Sequence, residues 1–436
     1  MTNNKEFQEE NKMKKWMSAL TLISVMLTGC TSNNQSVEET SGIGGTLTVV
    51  TGRTDAEELF AKIEADFIKL YPEVTDIIWE SSADYDNYIT TRMNTTEYGD
   101  VLMVPFSMSG NPDMYPNYFE PLGTVEELSN AYVDVTEADY EGVAYGLPTA
   151  LNSLGIIYNT EVFEEAGVTS VPTTMEELLE ACEKIKDNTD AIPFLTNYSG
   201  VAMWVGTLTS FGGEQYKSAI LEEGTAFAEG QPIREVMDLF YELTTNGYTE
   251  QDPVTLDFAQ GKQMLAEGKA AMMMKGSQDA KAIGELAGNT EIIQIAPLPS
   301  VGDGKPSVAL GAPEVLGINV NSNNKETAKA FLEFFISAAS GYSDDLGGMT
   351  PVKADFTDEQ KALFENNNIV LTAGSESAET EALYSSIANE VGIARLTDLL
   401  QQVINMGLYP DQYESYESYV NQMENKWAQA VKEYAK

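Results

Sequence analysis

The stretch Tyr145 to Lys186, YGLPTALNSLGIIYNTEVFEEAGVTSVPTTMEELLEACEKIK, decides how the chain is organised. Gly146 and Pro148 interrupt regular structure, and Leu154 to Tyr158 is a short apolar run of β-formers, long enough for a buried strand. Asn159 and Thr160 then open a short helix that Gly167 ends. Pro172 holds an extended turn. Thr173 or Thr174 can cap a second helix, with Glu176 or Glu177 three residues on completing a capping box. That helix carries Met175, Leu178, Leu179, Cys182 and Ile185 on one face. The reading is a chain that crosses from one lobe into another and begins the second.

In order and spacing, Tyr145, Gly146, Pro148, Tyr158, Asn159, Ala166, Gly167, Pro172 and Thr173 or Thr174 resemble the hinge region of a known family. It is the extracellular solute-binding proteins of ABC importers, in the carbohydrate-binding group that includes maltose-binding protein. The resemblance implies an α/β, two-lobe periplasmic-binding-protein-like fold with a hinge between the lobes. It also implies no enzymatic activity and no cofactor.

At 436 residues two lobes are the soft expectation, and the chain is amply long enough to bury a core. Twenty-five basic residues against 68 acidic, with no histidine, give a formal charge of −43. Such a balance argues against nucleic-acid binding and against attraction to an anionic membrane surface. It fits a soluble secreted monomer, although an acidic face could steer a cationic ligand.

Lys12, Lys14 and Lys15 precede an apolar run from Trp16 to Leu27, which closes with Leu27-Thr28-Gly29-Cys30. The basic end and short apolar region fit a secretory signal, too short for a permanent span. The last four residues resemble the lipobox of bacterial lipoproteins, so Cys30 is expected to be lipidated. The protein would then be anchored on the outer face of the cytoplasmic membrane. Met13 is an alternative start, because Glu6, Glu9 and Glu10 are unusual ahead of a signal. Removing residues 1–29 takes away four lysines and three glutamates, leaving 21 basic and 65 acidic residues, a net charge of −44. Cys182 is then the remaining free thiol, and its apolar helical face points to a buried structural role.

The expected layout is a signal at 1–29, a flexible tether at 30–45, a first lobe from 46–150 plus 312–350, and a second from 151–311 plus 351–436. The first lobe opens with strand, polar loop and helix, repeated through Val74 to Trp79 and Val101 to Val104. Phe67, Tyr71, Pro72, Gly99, Asp100 and Val101 resemble the family's first lobe. In open α/β sheets ligands sit beyond the carboxyl ends of the strands. The loops at Gly52 to Thr54, Ser81 to Asp84 and Pro105 to Ser109 should therefore line one wall of a site.

The second lobe is expected to hold helices at 231–247, 255–269, 358–367, 379–406 and 411–435, with an apolar strand at Ala270 to Met274. The run Phe258-Ala259-Gln260-Gly261 through Ala270-Ala271-Met272 and Gly276 resembles the family's most recognisable signature. Gln278 stands where the family often has an aromatic, which exchanges a stacking platform for an amide. Met272, Met273 and Met274 alternate across a strand, so packing rather than a soft metal site explains them.

The candidate ligand-binding residues are Arg53, Thr54, Ser82, Phe106, Asn152, Trp204, Lys275, Ser277, Gln278 and Glu314. Arg53 could instead pair with Asp55 or Glu57, Trp204 could belong to the core, Lys275 could be a salt-bridge partner, and Glu314 could be an exposed loop residue. Alignment to maltose-binding protein places Asn152 where that protein has a ligand-facing carboxylate. The resemblance implies capture of a sugar or oligosaccharide by hinge closure and delivery to a membrane permease. A polyamine or peptide is the alternative solute. A glycosidase needs only two placed carboxylates, which so acidic a chain supplies in number, but no Asp or Glu stands in a context that marks it. No P-loop, Gly-x-Ser-x-Gly, histidine or metal-ligand spacing is present.

Overall fold

The computed structural model describes residues 42–109, 111–196, 208–300, 305–372 and 376–434. The signal segment, Cys30 and Trp204 lie outside them. Among the described residues fourteen strands occur in order: β1 Gly45–Thr51, β2 Val74–Ser81, β3 Val101–Met103, β4 Gly123–Thr124, β5 Asp139–Tyr140, β6 Val143–Ala144 and β7 Leu147–Pro148. They continue as β8 Asn152–Asn159, β9 Ile192–Leu195, β10 Ala270–Gly276, β11 Ile293–Ala296, β12 Ser307–Gly311, β13 Val315–Ile318 and β14 Asn368–Leu371. The chain divides into two compact units. One runs to Leu151 and resumes over Ala312–Asp355; the other comprises Asn152–Gly311 and Phe356 onward.

The first unit is built on a sheet of order β2-β1-β3-β13-β7. Strands β1, β2 and β3 are parallel, as strand–helix–strand connections require, while β13 runs antiparallel to both β3 and β7. The helix Glu57–Leu70 buries Phe60, Ile63 and Phe67, and the helix Lys325–Ile336 buries Phe331, Phe334 and Phe335. Both pack into one core with Leu47 and Val49 of β1. A small three-stranded sheet, β4-β6-β5, is added beyond sequence expectation. Its strands are only two residues long, too short for a period-2 signal.

In the second unit β8 is central, antiparallel to β10 on one side and to β11 and β12 on the other. The methionine run behaves as its alternation predicts: Met272 and Met274 join the large core with Phe240 and Trp427, and Met273 joins a smaller one with Ile157 and Leu265. Asn159 caps the helix Thr160–Ala166 by accepting from the Glu161 and Val162 amides, and Gly167 ends it at φ 73°. Thr174 accepts from the Glu177 amide. The Glu177 carboxylate, however, returns to Thr173, at 2.7 Å from both its N and its Oγ1, rather than to the cap itself.

Four expectations are corrected. The helix read over 379–406 is two, Ala378–Val391 and Leu396–Leu408, because Gly392 adopts φ 86° and closes the first. The helix read over 255–269 covers Phe258–Ala266, since Asp257 caps it and 253–257 lies outside it. The end of the presumed tether belongs to the fold: Gly44 N donates to Thr327 Oγ1 (2.9 Å) and Gly45 N to Glu73 O (2.9 Å). The last return of the chain falls after Asp355 rather than after 350. Val133 N donates to Pro351 O and Lys353 N to Ala131 O, which ties that stretch to the first unit.

Candidate functional site

In the first unit, the parallel register brings the carboxyl ends of β1, β2 and β3 to one edge of the sheet. Antiparallel pairing sets the start of β13 and the end of β7 beside them, with Val315 opposite Pro148. Arg53, Ser82, Phe106 and Glu314 are thereby collected on this edge from segments far apart in the chain.

Arg53 is held in place by its neighbours. Its Nε donates to Asp55 Oδ1 (3.0 Å) and its Nη1 to Asp345 Oδ2 (2.9 Å), and its guanidinium carbon lies 5.6 Å from the centre of the Tyr342 ring. Burial disfavours the charge, but the Asp55 and Asp345 hydrogen bonds outweigh it and hold Arg53 protonated. The pairing with Asp55 is thus present, Glu57 is not the partner, and the guanidinium acts as an organiser. Tyr342 in turn donates its hydroxyl to Glu314 Oε2. Glu314 is half-buried rather than a free loop residue, and burial raises its carboxyl above the usual carboxylate range. Its carbonyl accepts from Thr149 N at 3.0 Å.

Phe106 is 85% exposed, an unusual state for so large an apolar side chain. Its place is set by Asp86, whose carboxylate accepts from Phe106 N (3.0 Å) and Ser107 N (2.9 Å). Tyr85 supports the same turn by donating to Met103 O at 2.6 Å. Ser82 is half-buried, with its amide on Thr51 O (3.2 Å), and Thr54 is exposed beside Arg53.

In the second unit the start of β8 meets the ends of β10 and β12, with Leu154 opposite Gly276 and Asn152 opposite Gly311. Asn152 Nδ2 donates to Gln278 Oε1 at 3.2 Å, and Ser153 N to Ser277 Oγ at 3.3 Å. The Asn152 Oδ1 is buried without a hydrogen-bond partner among the described residues, an acceptor that a ligand donor would satisfy. Lys275 is 9% exposed, its ammonium 4.1 Å from the centre of the Phe258 ring, and burial lowers its pKa. Among the described residues no group of three His, Cys, Asp or Glu could hold a metal ion. Cys182 is fully buried, and that burial pushes its thiol up and out of reactive range.

Sequence reasoning missed Asp86, Tyr342 and Asp345, and singled out Phe258 only as part of a signature and not as the ring beneath Lys275. Asp345 lies 292 residues from Arg53 and Asp86 lies 20 from Phe106, so no local pattern links either pair.

Known proteins resemble this chain along most of its length. A manno-oligosaccharide-specific solute-binding protein from Bifidobacterium animalis subsp. lactis, solved with mannotriose, superposes with a TM-score of 0.67 at 25% identity, covering 91% of this chain and 96% of that one. The chain is 23% identical over 295 residues to a maltotriose-binding protein of Pyrococcus abyssi, 64% of this chain and 59% of that protein. It is 32% identical over 131 residues to a xylose/arabinose-binding protein of Haloferax volcanii, 28% of this chain and 27% of that protein. These two sequence matches therefore span less than two thirds of the curated relatives' own length. The profile of the bacterial extracellular solute-binding proteins matches residues 53–342, some two thirds of the sequence, and the chain belongs to that family.

Proposed function

We propose that this chain is the lipid-anchored substrate-binding subunit of an ABC import system and that its solute is a sugar or oligosaccharide. The observation that carries the sugar reading is Phe106, an aromatic face held out into solvent by Asp86 on an edge that also carries the Ser82 hydroxyl and the Glu314 carboxyl. A ring face suits the C–H surface of a pyranose, and the polar groups suit its hydroxyls. The sugars named for the relatives support the same class. A polyamine would need several acids at the site. Asp55 and Asp345 are already occupied by Arg53, which weighs against that alternative.

Anchoring through Cys30 on the outer face of the cytoplasmic membrane, a monomeric state, capture by hinge closure and delivery to a permease complete the proposal. Cys30→Ala should release the protein from the membrane fraction, and retention of that variant would count against the anchor.

The test is a thermal-shift screen of residues 31–436 against mono- and oligosaccharides, polyamines and peptides, with product analysis of each hit. A ligand at 100 times its dissociation constant adds about 2.7 kcal/mol, a visible rise in melting temperature. A saccharide that raises melting and is recovered intact is the expected result. Cleavage of the saccharide, or response to polyamines alone, would refute the reading.

A further inference from the structure

A cavity lies in the first unit, away from Arg53, Ser82, Phe106 and Glu314 of the edge described above. It has a volume of about 330 Å³ and is enclosed between the segment Leu122–Tyr132, β7 and the helix Lys325–Ile336. That is the lower end of the range for small-molecule pockets, about 300–1,000 Å³. Its walls are Leu122, Leu128, Ala131, Leu147 and Leu332, with the half-buried ring of Tyr132.

Two carboxylates line this apolar space, and they differ. Glu127 is spoken for, since its Oε2 accepts from Thr124 Oγ1 at 2.9 Å in the capping box of the helix Val125–Leu128. Glu333 makes no hydrogen bond or ion pair among the described residues. It is half-buried, and burial raises its carboxyl, with Glu326 adding to the rise and Lys329 opposing it. Lys329, one turn away, also lines the cavity but is exposed and forms no ion pair with Glu333. With Lys329 exposed and not paired to it, the Glu333 carboxylate lies beside a phenol ring in an apolar space that suits a cation with an apolar body.

We propose that the cavity between Leu128, Leu147, Tyr132 and Leu332 is a second binding site, for a small organic ammonium compound whose charged head pairs with Glu333. The apolar part of the ligand fills the leucine-lined space and its ammonium lies within reach of the carboxylate and the Tyr132 ring. A neutral or anionic compound of the same shape gains the apolar contact alone.

The test is calorimetric titration of residues 31–436 with benzylammonium, with benzyl alcohol and benzoate as shape-matched controls. Benzylammonium should bind with one-to-one stoichiometry, and each control at least about tenfold more weakly, as expected for loss of a charged hydrogen bond. Glu333→Gln should weaken benzylammonium by a similar factor, and Ala131→Phe, which fills the cavity, should abolish binding. Gln at 333 removes a charge that has no hydrogen-bond partner to lose, so this variant tests the site even if the filled one fails to fold. Any saccharide found to stabilise the protein should do so equally in wild type and both folded variants, and adding benzylammonium should not displace it. Absence of benzylammonium binding, equal binding of benzyl alcohol, an unaltered affinity in Glu333→Gln, or competition with the saccharide would each overturn the proposal. Failure of the saccharide screen would leave it standing, because the two sites share no residue.

Discussion

Single side chains at the first unit's edge have separable duties. Phe106 touches water over 85% of its surface, so truncating it removes almost no packing. Phe106→Ala should leave the melting temperature within about one degree of wild type, a change of less than about 0.5 kcal/mol. The same variant should weaken saccharide binding by about tenfold, the scale of one lost ring contact. A melting loss of many degrees, or unchanged saccharide affinity, would show that the ring packs rather than binds. Phe106 was legible as a candidate because it follows the third apolar strand. Its support by Asp86 was not, since one carboxylate capping a turn 20 residues on leaves no trace in local sequence.

Asn159 shows an element's start doing two jobs. Its Oδ1 accepts from the Glu161 and Val162 amides, and its Nδ2 donates to Leu265 O at 2.9 Å in the interior. Asn159→Ala removes both and should cost about 2 kcal/mol, read from chemical denaturation. Asn159→Asp keeps the cap but turns the donor into an acceptor facing a carbonyl, so it should be no more stable than the alanine variant. A near wild-type midpoint for Asn159→Asp would mean that the Leu265 contact contributes nothing. On the strand that Asn159 ends, Gly155 approaches its neighbour so closely that an added Cβ would sit 2.1 Å from Ala296 O. Gly155→Ala should therefore force β8 and β11 apart and cost about 3 kcal/mol. An unchanged denaturation midpoint would show that the pairing tolerates the methyl group. The cap and the apolar run were legible from residue types and order. The second partner of Asn159 and the close approach at Gly155 depend on segments more than a hundred residues away, which local pattern cannot report.

Across the whole molecule, charge and burial act in the same direction. Burial raises the carboxyls of Glu137, Asp139, Glu242, Asp279, Glu314 and Glu333, so these groups bind protons more tightly in the folded than in the unfolded chain. Their contribution to stability is present when they are protonated and is lost as pH rises through their folded values. Hydrogen bonds lower Asp55, Glu177 and Glu267, which act oppositely and lie at the surface. The net charge of −43 adds self-repulsion that grows with pH. The melting temperature should consequently rise as pH is lowered from 8 to about 5, and added salt should raise it more at pH 8 than at pH 5. A melting temperature that falls over that pH range would show that the lowered carboxylates dominate.

The opening strand–helix alternation, the caps at Asn159 and Thr174, the apolar helix face that buries Cys182 and the alternation of the methionines follow from sequence alone, because each depends on neighbours within a turn or a pleat. Tertiary structure alone decided that Asp345 joins Asp55 on Arg53, that Glu314 meets Tyr342, and that a leucine-lined cavity holds Glu333. It also decided that Pro351 to Lys353 belong with residues 131–133. Every one of these joins residues brought together only when segments distant in the chain pack against one another. The energy of a buried charge depends on which partner packing supplies, and that is a property of the folded chain rather than of any stretch of it.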